Sequence, residues 1–278
     1  MHGRLATASE AATSMRRDSH GSLSTASRAL LAAVALAVLP GAAAPLPCPE
    51  SRPIVPLVAG TRWVYRGMVV STVIDEDHVH VIRGVHRWSM DVRKVEHEGD
   101  ATVAVVEGFP GELDWYQPGV QKRNKFVVVA REHHGFHMVD DLDACQFATW
   151  RQSCLGRWNV QYMPFMLPGI LKVGRAFGGD ENAHLRPDKW YQWHIEDVRC
   201  VQLRGVAGLD PGRLWRQYRV AYRTIPGHVL IYFVPGLGIT RYVYDHHGTP
   251  ASTDVRLIAI RHKVVSDRKV GVARRAPR

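Results

Sequence analysis

Apolar and polar residues alternate along most of the chain beyond residue 60. In RWSMDVRKV, Arg87–Val95, the residues Trp88, Met90 and Val92 fall on one side, and Arg87, Ser89, Asp91 and Arg93 on the other. That period of two is the mark of a strand with one wet face. TRWVYRGMVV (Thr61–Val70), ATVAVVE (Ala101–Glu107) and KFVVVARE (Lys125–Glu132) continue the pattern. It resumes in WYQWHIEDVRCVQLRG from Trp190, LWRQYRVAYRTI from Leu214, HVLIYFV from His228, ITRYVY from Ile239 and DVRLIAIRHKVV from Asp254. Glycine, proline and Asn/Asp clusters separate these runs, and no long stretch keeps a helical period. The pattern predicts a mainly β chain of roughly ten strands and few helices, folded as a curved antiparallel sheet (half-barrel) or a β-sandwich.

The first 43 residues fall outside this pattern. RALLAAVALAVL, Arg28–Leu39, is a short apolar run behind a basic residue, followed by the small residues of PGAAAP. That order describes a secretory signal peptide, with cleavage expected after Ala43 and Met15 as the natural start. Eleven apolar residues, Ala29–Leu39, fall short of the about 20 that a helix needs to cross a bilayer. Residues 44–265 then form one β-rich domain, with a faint echo of two meanders joined near Met163–Gly169, and residues 266–278 a basic tail. The expected address is the periplasm or the extracellular space.

The chain of 278 residues carries 36 basic and 26 acidic side chains. Removing residues 1–43 takes away four arginines and two acids, leaving 32 against 24 and a net charge of +8. The basic residues are scattered along the strands, which gives no footprint for nucleic acid. The one concentrated patch, from Arg261 onward, offers a contact for a membrane surface. The four cysteines, Cys48, Cys145, Cys154 and Cys200, suit disulfides in an exported protein. Sequence allows three pairings; the local choice is Cys145 with Cys154, which leaves Cys48 for Cys200.

Two near-repeats carry the candidate chemistry: EHHG at Glu132–Gly135 and DHHG at Asp245–Gly248. Each follows a strand-like run, and a glycine after histidine suits a tight hairpin. Histidine is also the commonest metal ligand among side chains. His133, His134 and His137 with His246 and His247 are therefore candidate ligands for a divalent transition metal such as zinc, provided the two tips meet in space. The turn reading needs no such meeting and is the simpler expectation; on it, no cofactor is implied.

Catalytic signatures are lacking: no GxSxG, Walker loop, HExxH or helix-opening GxGxxG occurs. Gly236–Gly238 precedes a strand and reads as a turn. Glu196 and Asp197 are neighbours in a strand and are expected on opposite faces. The aromatics Trp88, Trp115, Tyr116, Trp158, Trp190, Trp193, Trp215 and Tyr218 suit a core, and less simply a sugar-stacking stripe.

YFVPGLGITRYVYDHHGTPASTDVRLI, Tyr232–Ile258, and LVAGTRWVYRG, Leu57–Gly67, resemble the closing hairpins and opening strand of exported bacterial β-rich proteins of uncharacterised role. Some of those look like relatives of the periplasmic lipoprotein-carrier half-barrel. The resemblance implies a curved sheet with an apolar concave face and brings no functional residues with it. The leading expectation is thus a non-enzymatic envelope protein binding an apolar or lipid-like ligand or an envelope partner, because an apolar sheet face must be covered. The alternatives are a metal-binding protein or metalloenzyme built on the histidines, and a sugar-binding or sugar-active protein built on the aromatics.

Overall fold

The computed structural model describes residues 48, 55–75, 78–99, 101–119, 122–131, 135–139, 165–178 and 185–262. Among the described residues, twelve strands form one antiparallel sheet. The first six are β1 (Arg62–Asp75), β2 (His78–Glu98), β3 (Ala101–Glu107), β4 (Lys125–Arg131), β5 (Gly135–Val139) and β6 (Phe165–Leu167). The others are β7 (Ala176–Phe177), β8 (Trp193–Gln202), β9 (Leu214–Arg223), β10 (Gly227–Val234), β11 (Gly238–His246) and β12 (Ser252–Arg261). No α-helix occurs among the described residues, and a short 3-10 turn, Pro110–Leu113, follows β3.

The strand order is β6-β5-β4-β3-β2-β1-β12-β11-β10-β9-β8-β7. The chain starts mid-sheet, meanders out to one edge, crosses, and meanders back until β12 pairs with β1. The crossing fixes the curvature. Residues 168–175 join β6 to β7 and reach at most about 28 Å, whereas a flat sheet of this width would hold its edges about 50 Å apart. The sheet must curl. Aromatic rings record the result: Phe165 on β6 lies 5.5 Å from Trp193 on β8 and 6.4 Å from Phe233 on β10, between ring centroids. Phe109, just after β3, meets Tyr242 on β11 edge-on at 5.7 Å.

The concave face is therefore filled by the chain's own side chains. Trp63, Tyr65, Val92, Val128, Met138, Ile195, Val220, Ile231 and Val255 complete one continuous core. Two buried polar tips are satisfied by the β10–β11 turn and the start of β11: Trp63 Nε1 donates to the Leu237 carbonyl at 2.7 Å, and the Tyr65 hydroxyl to that of Ile239 at 3.1 Å. Gly236 and Gly238, with φ of 76° and 104°, shape that turn. Trp193, Trp215 and Tyr218 are buried, which gives them to the core. Cys48 is bonded to Cys200 on β8, with Cα atoms 5.8 Å apart, well inside the range a disulfide spans. Cys145, Cys154, Trp158, the leader and the basic tail lie outside the described residues.

Bulges interrupt the alternation at several points, and the one in β8 bears on the candidate site. β8 carries a bulge between Ile195 and Asp197, where two residues face one on β9. The extra residue puts Glu196 and Asp197 together on the convex face, against the expectation that neighbours diverge. Their partners still differ: Glu196 binds Arg219 and Arg223, while Asp197 takes Arg199 at 2.6 Å.

Candidate metal centre

The second histidine tip is a hairpin and also something more. β11 ends at His246, β12 begins at Ser252, and Gly248 turns the chain with φ of 116°. The two histidines part company there. His246 follows Tyr242 and Tyr244 onto the concave side, where its ring meets Trp115 at 5.1 Å and its Nδ1 accepts the Thr249 amide at 3.1 Å. His247 turns to the convex side.

There it meets two residues brought by strand register. His228 on β10 lies directly opposite Asp245 on β11, so both side chains leave the same face of the sheet. His228 Nδ1 and His247 Nε2 are 3.1 Å apart. With one Asp245 carboxylate oxygen, the potential ligand atoms all fall within 4.8 Å of one another. The backbone holds His247 in place twice: its amide donates to the Pro226 carbonyl at 2.7 Å, and its ring Nδ1 lies 3.0 Å from the Ile225 carbonyl. A carbonyl can only accept, so Nδ1 carries the proton and Nε2 presents its lone pair to His228. A ring nitrogen fixed in this way is the usual outer support of a metal-ligating histidine.

His228 is suited to ligation at neutral pH. Partial burial lowers its pKa; His247 and Arg223 push the same way, against Asp245 and Glu196. Next to it, opposite His228 on β9, stands Arg223. Arg223 binds Glu196, which also takes Arg219 at 2.9 Å and His194 Nε2 at 3.0 Å. Burial alone would raise the Glu196 pKa, but the Arg223 hydrogen bond and the surrounding positive charge hold it below the usual carboxylate range. The result is a fixed polar patch around the His-Asp-His group, on an open convex surface.

The other predicted ligands do not join it. His137 on β5 alternates with buried Phe136 and Met138 and so faces the convex side. Six steps of strand order separate β5 from β11, and convex faces that far apart on a curled sheet diverge. His133 and His134 lie outside the described residues. Of the predicted set, the structure brings His247 to the group, sends His246 away, and adds His228 and Asp245. The missing signal was register: His228 opens a strand 19 residues before His247, and only the Pro226–Gly227 turn sets it opposite Asp245.

No protein-family model matches the chain, and no curated protein matches it. Two solved structures are similar. One is a candidate lipoprotein of Parabacteroides distasonis, 11% identical, covering 75% of this chain and 98% of its own, with a TM-score of 0.35. The other is a candidate exported protein with a YmcC-like fold from Bacteroides fragilis, 11% identical, covering 77% of this chain and 98% of its own, with a TM-score of 0.38.

Proposed function

We propose that the protein is an exported, non-enzymatic metal-binding protein of the cell envelope, holding a divalent transition ion through His228 Nδ1, His247 Nε2 and the Asp245 carboxylate. The observation that carries this reading is the 3.1 Å approach of two imidazole nitrogens beside a carboxylate. Two nitrogens on one tetrahedral zinc lie about 3.3 Å apart for bonds of about 2.0–2.1 Å. Zinc or copper suits the imidazole-rich set better than magnesium or calcium. His228 is half-buried and Asp245 and His247 are exposed, so an ion held there would stay open to water, which supports binding over catalysis. Export is supported by the Arg28–Leu39 leader pattern and by the Cys48–Cys200 bond, which favours an oxidising compartment. An apolar ligand on the concave face draws no support, because the core fills that face.

Zinc titration of the purified oxidised chain, against a competing chromophoric chelator, tests the reading. One equivalent bound by wild type and by His246→Ala, and lost in His228→Ala and His247→Ala, is the expected result. Equal binding in all four proteins would sink it.

A further inference from the structure

Strand register gathers arginines that lie far apart in sequence. Arg87 on β2 opposes Arg66 on β1, Arg66 opposes Arg256 on β12, and Arg256 opposes Arg241 on β11. Directly opposed side chains leave the same face of a sheet. Arg66 and Arg241 alternate with buried Tyr65 and Tyr242, so the row lies on the convex side. Four guanidinium groups thus cross about 14 Å of sheet at the spacing of neighbouring strands. Like charges set directly opposite one another destabilise a sheet, and one carboxylate is all that relieves them. Asp254 binds Arg241 through Nε at 2.8 Å and Nη2 at 2.6 Å, and stands 3.9 Å from Arg256 Nε. Arg66 and Arg87 have no ion pair among the described residues.

The row runs into a cavity. β11 pairs with β12 no further than the Arg241–Arg256 rung, and beyond it Ala207 bridges Ala259 instead. A bulge in the β10–β11 pairing leaves Thr240 with no residue directly opposite. Arg241, Arg256 and Thr240 line a cavity of about 300 Å³, together with Arg204 from the chain just after β8. Arg204 Nε donates to Gln202 at 2.9 Å, and no carboxylate binds it among the described residues. Gln217, also in the lining, is aimed by its neighbours. Thr240 Oγ1 donates to the Tyr232 carbonyl at 2.9 Å, so it accepts from Gln217 Nε2 at 2.8 Å. The second N–H of that amide has no partner among the described residues. Leu203, Val206 and Leu257 supply an apolar wall.

Three guanidinium groups against the Asp254 carboxylate leave this cavity with two uncompensated positive charges, and Arg66 and Arg87 add to its field. A phosphomonoester carries about 1.5–2 negative charges at neutral pH, and its oxygens suit the guanidinium fork. A carboxylate or a sulfate ester would leave one charge unmet. We propose that the cavity binds a compact phosphomonoester, with Arg204, Arg256 and the Gln217 amide on the phosphoryl oxygens and the apolar wall against the adjoining carbon. The volume lies at the small end of ligand cavities, so the body attached to the phosphate is small.

Calorimetric titration of the metal-free, oxidised chain with phenyl phosphate tests this, metal-free so that no ion at His228 and His247 can hold the phosphate. Wild type should saturate at one equivalent with a Kd below about 1 mM, and phenyl sulfate should bind about tenfold or more weakly. Arg204→Ala with Arg256→Ala should lower the affinity about tenfold or more, and Arg256→Lys should recover only part of it. Both arginines are exposed, and an unchanged circular dichroism melt would confirm that the variants fold. His228→Ala should bind phenyl phosphate as wild type does, which separates this site from the metal centre. Flotation with vesicles containing phosphatidic acid identifies the source. Co-flotation lost in the double arginine variant assigns the phosphate to a lipid headgroup, and its absence beside phenyl phosphate binding assigns it to a free solute. Three results would overturn the proposal: no saturation by about 10 mM phenyl phosphate, equal affinity for phenyl sulfate, or binding unmoved by the Arg204 and Arg256 substitutions.

Discussion

His228 and His247 face each other across the β9–β10 and β11–β12 turns with ring nitrogens 3.1 Å apart, and the Ile225 carbonyl fixes which nitrogen His247 presents. Removing either ring is expected to lower zinc affinity by about 100-fold or more, beyond the about 10- to 100-fold typical of losing an outer support. His246→Ala should leave affinity unchanged, because that ring serves Thr249 and Trp115 on the other face. Isothermal titration of the three variants reads both outcomes.

Metal binding should weaken on acidification. In the metal-free fold the His228 pKa lies below its ordinary value of 6.5, chiefly through burial. The stability from keeping this ring neutral is present above pH 6.5 and is lost as pH falls through the lowered value. Protons and metal compete for the same Nδ1, so zinc affinity should hold between pH 8 and 7 and drop steeply below pH 6.5. Affinity flat to pH 5 would show that His228 is not a ligand.

Glu112 offers an independent test of the electrostatics. It sits in the 3-10 turn, accepts the Asn124 amide at 2.7 Å, and has a pKa pushed up to about 7, first by burial. The fold therefore binds a proton there more tightly than the unfolded chain does. Stability falls as pH rises from the ordinary carboxyl value toward 7. Glu112→Gln keeps an oxygen for Asn124 and carries no charge to bury. Its melting temperature should match wild type near pH 4.5 and exceed it above pH 7.

Phe165 on the short edge strand β6 touches Phe109, Phe136, Trp193 and Phe233. It packs the two arms of the curled sheet together. Phe165→Ala should cost about 3–5 kcal/mol by lost transfer and cavity terms, read as a lower urea midpoint. A loss under about 1 kcal/mol would mean that the arms hold together without it.

The strands were legible because one apolar face forces alternation. Trp88, Met90 and Val92 share a side in sequence and in β2, and the predicted curved antiparallel sheet is the one observed. The covering of that sheet was not legible. Sequence gave no helix to shield the concave face and so suggested a ligand, whereas the short β6–β7 connection folds one arm's aromatics onto the other's. The histidine site was half legible for a related reason. Local patterning marked His246 and His247 together, but the turn sends them to opposite faces. His228 could be found only by knowing which residue Asp245 opposes. Glu196 and Asp197 misled in the opposite sense, since a one-residue bulge undoes alternation without a sequence signature.

Native mass spectrometry of the exported, oxidised chain after equilibration with equimolar zinc tests the central claim most directly. The account predicts one added zinc on wild type, retained by His246→Ala and absent from the double variant His228→Ala with His247→Ala. Zinc retained in that double variant, or none on the wild type, would contradict it.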